Sequence, residues 1–177
     1  MKDRTYRYAE NNLLYPYGYG LTYGDIVCTS VSYRDGIADV AAENRGQTAT
    51  EDVIELYIKD YSENADLNVS LCGFRRVRLE VGEKITVSIP VSKRAFTAVD
   101  EKGTRKRFGN RFTLYAGTHQ PDDISNKLCK TLCAETDIAL LRTMRLLRPA
   151  EAFFLLLICQ PSHFVLFSEN SFLLSLQ

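Results

Sequence analysis

Between residues 25 and 117, apolar and polar side chains alternate with a period of two in a series of short runs, and no convincing 3.6-residue period of an amphipathic helix replaces it. Between Asp25 and Tyr33 the alternating Val27, Thr29, Val31 and Tyr33 predict a first strand on one shared face. Arg34-Asp35-Gly36 closes it, and Asp-Gly is a strong signal for a two-residue hairpin. Ala38, Val40 and Ala42 then oppose Asp39, Ala41 and Glu43, which predicts an antiparallel partner strand ended by Asn44-Arg45-Gly46. Residues 53–59 read as a third strand, with Ile54, Leu56 and Ile58 on one face and Glu55, Tyr57 and Lys59 on the other. A polar loop from Asp60 to Asn68 leads to a fourth strand over 73–79, and Val81-Gly82-Glu83 turns the chain. Ile85, Val87, Ile89 and Val91 then alternate with Lys84, Thr86 and Ser88, and Pro90 falls near the strand end, where a missing ladder donor is tolerated. After a loop over 100–110, Phe112, Leu114 and Ala116 form a last alternating run that stops at Gly117.

Some six short strands at spacings of roughly eight to fifteen residues, separated by turn signals and without a convincing helix, predict an all-β fold. The expected architecture is an immunoglobulin-like antiparallel β-sandwich whose apolar faces meet across two sheets. The expected organisation is an irregular lead-in over 1–24, the sandwich over 25–117, an extension over 118–140 in which Thr136, Ile138 and Leu140 alternate, and an apolar tail over 141–177. In that tail, Arg142, Arg145 and Arg148 punctuate a leucine-rich stretch before Phe153–Cys159 and Phe164–Phe167. Both runs fall far short of the roughly 18–20 apolar residues that a membrane helix needs, and Gln160-Pro161-Ser162-His163 separates them, so no span is expected. The tail is read as foreign to the domain, with an interfacial helix or a segment docked on the sandwich as alternatives.

Charge adds little to this picture. The 22 basic and 22 acidic residues balance, which removes a net attraction to nucleic acid or anionic lipid. Arg75, Arg76 and Arg78 on a strand, and Arg105, Lys106 and Arg107 in a loop, lack the interleaved aromatics of a single-strand binder and read as solvated surface. The five cysteines, Cys28, Cys72, Cys129, Cys133 and Cys159, form no C-x-x-C pair and have no histidine at a ligand spacing, so they read as buried or free thiols, with no metal or other cofactor implied. The start Met1-Lys2-Asp3-Arg4-Thr5 has no apolar core of a signal peptide. A cytoplasmic location is the expectation for the chain as written, an export signal being absent from it or lost upstream.

The stretch with the most individual chemistry precedes the first strand: Tyr15-Pro16-Tyr17-Gly18-Tyr19-Gly20-Leu21-Thr22-Tyr23. Proline fixes φ and the glycines admit positive φ, so the segment turns sharply while presenting large rings with wet hydroxyls. It resembles the Pro-x-Gly-Tyr-Gly-Leu-Ser/Thr-Tyr motif that leads into the C-terminal fibronectin type III-like domain of glycoside hydrolase family 3, the family of many β-glucosidases and β-xylosidases. Thr5-Tyr6-Arg7-Tyr8 is similar to that family's usual lead-in. Further along, 51–60 resembles its E-V-V-Q-L-Y-V-K-D strand, Gly73-Phe74-Arg75-Arg76-Val77 with Val81-Gly82-Glu83 resembles its G-F-K-R-V and x-G-E segment, and 112–117 resembles its closing strand. Two departures stand out. Asn68-Val69-Ser70-Leu71-Cys72 replaces the family's Pro and Lys-Glu pair, and the chain contains no tryptophan.

The resemblance implies a non-catalytic accessory domain. Glycoside hydrolysis needs two carboxyl groups flanking the scissile bond, and in the resembled family they belong to a preceding barrel and a preceding α/β domain, neither of which this chain contains. No catalytic residue is therefore assigned, and the chain alone is expected to be inactive. There is also no Gly-x-Ser-x-Gly elbow or phosphate loop, Gly18-Tyr19-Gly20 precedes a strand rather than a helix, and His119 reads as a solvated loop residue. The candidate site is thus Tyr15, Pro16, Tyr17, Gly18, Tyr19, Gly20 and Tyr23, expected to pack on the missing catalytic domains. The alternatives are a carbohydrate-binding module that stacks these rings on β-linked oligosaccharide, and a self-associating fragment that buries junction and tail between copies.

Overall fold

The computed structural model describes residues 14–15, 19–63, 65–66 and 68–140, and the apolar tail over 141–177 lies outside the described residues. β1 (Ile26–Arg34) and β2 (Ile37–Asn44) form the expected hairpin, with Asp35 at φ 51° and Gly36 at φ 86° in its two-residue turn. β3 (Thr50–Asp60) crosses to the second layer and turns back into β4 (Ser70–Leu79). β5 (Lys84–Pro90) returns to the first layer beside β2. A 3-10 turn over Lys93–Phe96 and a short hairpin of β6 (Ala98–Val99) and β7 (Arg105–Lys106) precede β8 (Arg111–Gly117), which pairs with β3. After α1 (Asp123–Cys129), β9 (Ala134–Ala139) closes the second layer. A three-stranded sheet, β1-β2-β5, therefore faces a four-stranded one, β4-β3-β8-β9, and every pairing is antiparallel. This is the sandwich that the alternation predicts.

The core lies where the two inward faces meet. Ala38 and Val40 of β2, Ile54 and Leu56 of β3, Ile89 of β5 and Phe112 and Leu114 of β8 are almost wholly removed from water. Residues opposite each other on antiparallel strands share a face, so the pairing of Ile54 with Arg75 and of Leu56 with Gly73 places β4 over the same core. Gly73 has no side chain there because an added Cβ would come within 3.0 Å of Ile89 Cγ2. One end of the sandwich is filled by aromatic rings: Phe96 stands edge-on to Phe112, with centroids 5.1 Å apart, and Tyr33 tilts against Phe96 at 5.5 Å. Such contacts add to the large apolar area that each ring buries.

Four readings change. In β1, Ile26 and Cys28 are buried while Val27 is half-buried and Thr29 exposed, so the four residues expected on one face do not share it. A β-bulge between Cys28 and Ser30 inserts one residue and flips the phase, after which Val31 and Tyr33 do face inward. Tyr57, placed with Glu55 and Lys59 on the face opposite Ile54, Leu56 and Ile58, is buried as well, beside Tyr115 of β8, and its hydroxyl donates to Glu55 Oε2 at 2.7 Å. A helix also exists. Asp122 caps α1 by accepting the Ile124 and Ser125 N–H groups at 3.0 and 2.9 Å, and Ser125 Oγ donates to its Oδ2 at 2.6 Å. Finally, His119 is only 2% exposed rather than solvated, because the chain after α1 returns over it. Its Nε2 lies 3.1 Å from Thr131 Oγ1, and the Cys133 thiol donates to its carbonyl at 3.4 Å.

Candidate functional site

The tyrosine-rich segment reaches the sandwich through a polar latch. Asn44, the last residue of β2, has no exposed surface and engages four backbone groups. Its Oδ1 accepts from the N–H of Gly46 at 2.9 Å and of Asp25 at 3.5 Å, while Nδ2 donates to the carbonyls of Thr48 at 2.9 Å and Leu79 at 3.2 Å. The backbone adds to this, since the Arg45 N–H donates to Asp25 O at 2.8 Å and the Gly82 N–H donates to Asn44 O at 3.0 Å. A buried amide is tolerated only when its donors and acceptors are matched, as they are here. Gly24 lies against Thr50 so closely that a Cβ would come within 2.1 Å of Thr50 Cγ2, and the hydroxyls of Thr22 and Thr50 meet at 3.5 Å. The lead-in is thus fastened from Thr22 onward.

The large apolar and aromatic side chains before and within that stretch face outward. Leu14 is 81%, Tyr15 67%, Leu21 95% and Tyr23 94% exposed. Tyr15 and Tyr19 stack with centroids 5.1 Å apart and planes 14° from parallel, so each ring covers one face of the other. Gly20 has open space around it. Pro16, Tyr17 and Gly18 lie outside the described residues, as does Thr5–Tyr8. Of the candidate residues, the structure brings Tyr15 and Tyr19 together and sets Tyr23 beside the latch. Sequence reasoning missed Asn44, which reads as a turn residue; a side chain with two donors and an acceptor just before Arg-Gly was the only available signal.

The thiols among the described residues do not form a reactive centre. Burial pushes Cys28, Cys72 and Cys133 up to about 12, with smaller contributions from neighbouring negative groups at Cys28 and Cys133, and burial also raises Cys129. A nucleophilic or metal-binding cysteine needs the opposite shift. Among the described residues no cluster of His, Cys, Asp or Glu is arranged to hold a metal ion, and no helix is long and apolar enough to cross a membrane.

The three-on-four sandwich, its order of pairings and its anchored lead-in define a fibronectin type III-like domain, and residues 52–120 match the family model described as "Fibronectin type III-like domain". The relatives found include β-glucosidases and β-xylosidases, in agreement with the resemblance to the C-terminal domain of family 3 glycoside hydrolases. The chain is 29% identical over 139 residues to a xylan 1,4-β-xylosidase of Xylanibacter ruminicola, which covers 75% of this chain and 16% of that protein. It is 31% identical over 124 residues to a periplasmic β-glucosidase of Salmonella typhimurium, covering 64% of this chain and 16% of the relative. Among solved structures, the β-glucosidase DesR of Streptomyces venezuelae, in complex with D-glucose, superposes with a TM-score of 0.60 at 22% identity over 73% of this chain and 16% of that one. The chain therefore spans only a small fraction of the length of the enzymes it resembles.

Proposed function

We propose that this chain is a non-catalytic accessory domain of a family 3 glycoside hydrolase acting on β-glucosides or β-xylosides, and that it buttresses the catalytic domains through its tyrosine-rich lead-in. The observation that carries this reading is the contrast within the lead-in: Thr22 to Asp25 are fastened to the sandwich, while Leu14, Tyr15, Leu21 and Tyr23 stand exposed beside them. Large apolar side chains left exposed next to an anchored segment favour a surface built to be covered. In the relatives the matched stretch is a minor part of a longer enzyme, which supports a partner supplied from the rest of such a protein.

The test has two arms. The chain is mixed with the remainder of the Salmonella typhimurium periplasmic β-glucosidase lacking its matching segment, and thermal stability is followed; a rise that the Tyr15→Ala and Tyr23→Ala variants diminish is expected, and no rise overturns the buttress. The chain alone is also assayed on aryl β-glucosides and β-xylosides. Turnover abolished by one carboxylate substitution would falsify the non-catalytic assignment. The alternative, sugar stacking on the tyrosines, is disfavoured by the mutual stacking of Tyr15 and Tyr19, which leaves a single free face on each ring.

A further inference from the structure

The end of the sandwich opposite the latch carries a cleft of about 620 Å³, between the loop joining β3 to β4 and the connection from β5 to β8. Its volume falls within the range of about 300–1,000 Å³ usual for small-ligand sites. Ile58, Leu71 and Val99 give the lining an apolar part, and charged side chains of both signs line it as well. Asp60 is held by the Ser62 N–H, which donates to Oδ1 at 2.8 Å, and Oδ2 has no partner among the described residues. Arg105 is fixed by Nη1, which donates to the Thr97 carbonyl at 3.0 Å and to its Oγ1 at 3.3 Å, leaving its remaining N–H groups for another acceptor. The Arg94 guanidinium, also on the rim, makes no ion pair among the described residues.

We infer that this cleft is a binding site for a neutral polyhydroxylated ligand, a short β-linked oligosaccharide. An anion would meet Asp60 and Asp66 on the same rim, and a cation would meet Arg94 and Arg105. A sugar hydroxyl both donates and accepts, so neighbouring hydroxyls satisfy a carboxylate and a guanidinium together, and the C–H face of a pyranose ring suits the apolar part of the lining. Asp60 and Arg105 are held in place before any ligand arrives, which reduces the ordering cost of binding. The saccharide class rests on the proposed accessory role in a glycoside hydrolase. The position does not, since the cleft lies at the end of the sandwich away from the tyrosine segment.

The experiment is a titration of the 15N-labelled 177-residue chain with xylotetraose, cellotetraose and, separately, inorganic phosphate. The expected result is saccharide-induced shifts at the Arg94 and Arg105 side-chain N–H signals and the Thr97 amide. Affinity should fall about tenfold or more in Asp60→Asn and in Arg94→Ala and stay unchanged in Tyr15→Ala. Asp60→Asn keeps an oxygen for the Ser62 N–H, so its fold is retained, and the Arg94 guanidinium makes no hydrogen bond or ion pair among the described residues. The inference is overturned by the absence of shifts with both saccharides, by shifts that survive both cleft variants, by loss of binding in Tyr15→Ala, or by phosphate binding at these groups in place of sugar. Because the stability arm of the buttress test reads a different surface, the failure of one proposal is distinguishable from the failure of the other.

Discussion

The two ends of this sandwich are closed by different physics. At the lead-in end, Asn44 satisfies four backbone groups with one buried amide, and glycine at position 24 lets two chain segments touch. At the far end, Phe96 and Phe112 stack edge to face with Tyr33 against them, and most of the closure comes from apolar area removed from water. A polar latch is directional and fixes the path of the chain, whereas an aromatic plug tolerates a shifted loop as long as the area stays covered. The end that carries the proposed docking surface has the directional closure. The end that carries the open cleft has the other.

Substitution at each end separates these contributions. Phe112→Ala should cost the most, about 3–5 kcal/mol, because it removes a fully buried ring and leaves a cavity against Phe96; denaturant unfolding measures it. Asn44→Ala should cost about 3 kcal/mol, since backbone groups at Gly46, Thr48 and Leu79 lose a partner at about 1–3 kcal/mol each where water does not replace it. Hydrogen exchange then sharpens the contrast: Asn44→Ala should expose the Asp25 and Gly46 amides while sparing the far end, and uniform loss of protection would contradict a local latch.

Alkaline titration probes the core between the ends. Cys28, Cys72 and Cys133 sit at about 12 in the folded chain against an ordinary 9.0. A folded-state value above the unfolded one means that stability is whole below pH 9 and declines from there to about pH 12, as the unfolded chain loses protons that the native one keeps. Chemical unfolding at pH 7.5 and pH 10.5 should show this fall, and replacing the three thiols with alanine should reduce it, leaving the part due to Cys129, Tyr33 and Tyr115, whose values burial also raises. At pH 8, iodoacetamide should label these three about a hundredfold more slowly than an unfolded control, and Cys129 should react ahead of them. The smallest effect concerns association. Arg75 pairs in register with core residue Ile54 yet stands exposed on the edge strand β4, an inward-pointing charge that blocks pairing with another edge. Arg75→Val should leave stability within about 0.5 kcal/mol and produce dimers in sedimentation, whereas Arg76→Val, on the other face beside Glu51, should remain monomeric.

Alternation alone determined the layers: wherever one face of a strand meets a dry interior, a period of two appears in the residues, as in Ala38, Val40 and Ala42 or Ile54, Leu56 and Ile58. The hairpin at Asp35-Gly36 was equally legible, because positive φ at both positions restricts which residues fit. Features that depend on distant partners were not legible. The bulge after Cys28 reverses a face without changing local composition, Asn44 resembles any turn asparagine until Leu79 arrives from 35 positions away, and His119 looks solvated until Thr131 and Cys133 fold over it. The tyrosine segment advertised itself in sequence as large rings between flexible residues, but the stacking of Tyr15 on Tyr19 and the fastening at Thr22 to Asp25 arise only from contacts across the fold. A side chain's solvent preference is written locally, whereas its hydrogen-bond partners and the depth at which it sits are set by whichever strand the tertiary structure brings beside it.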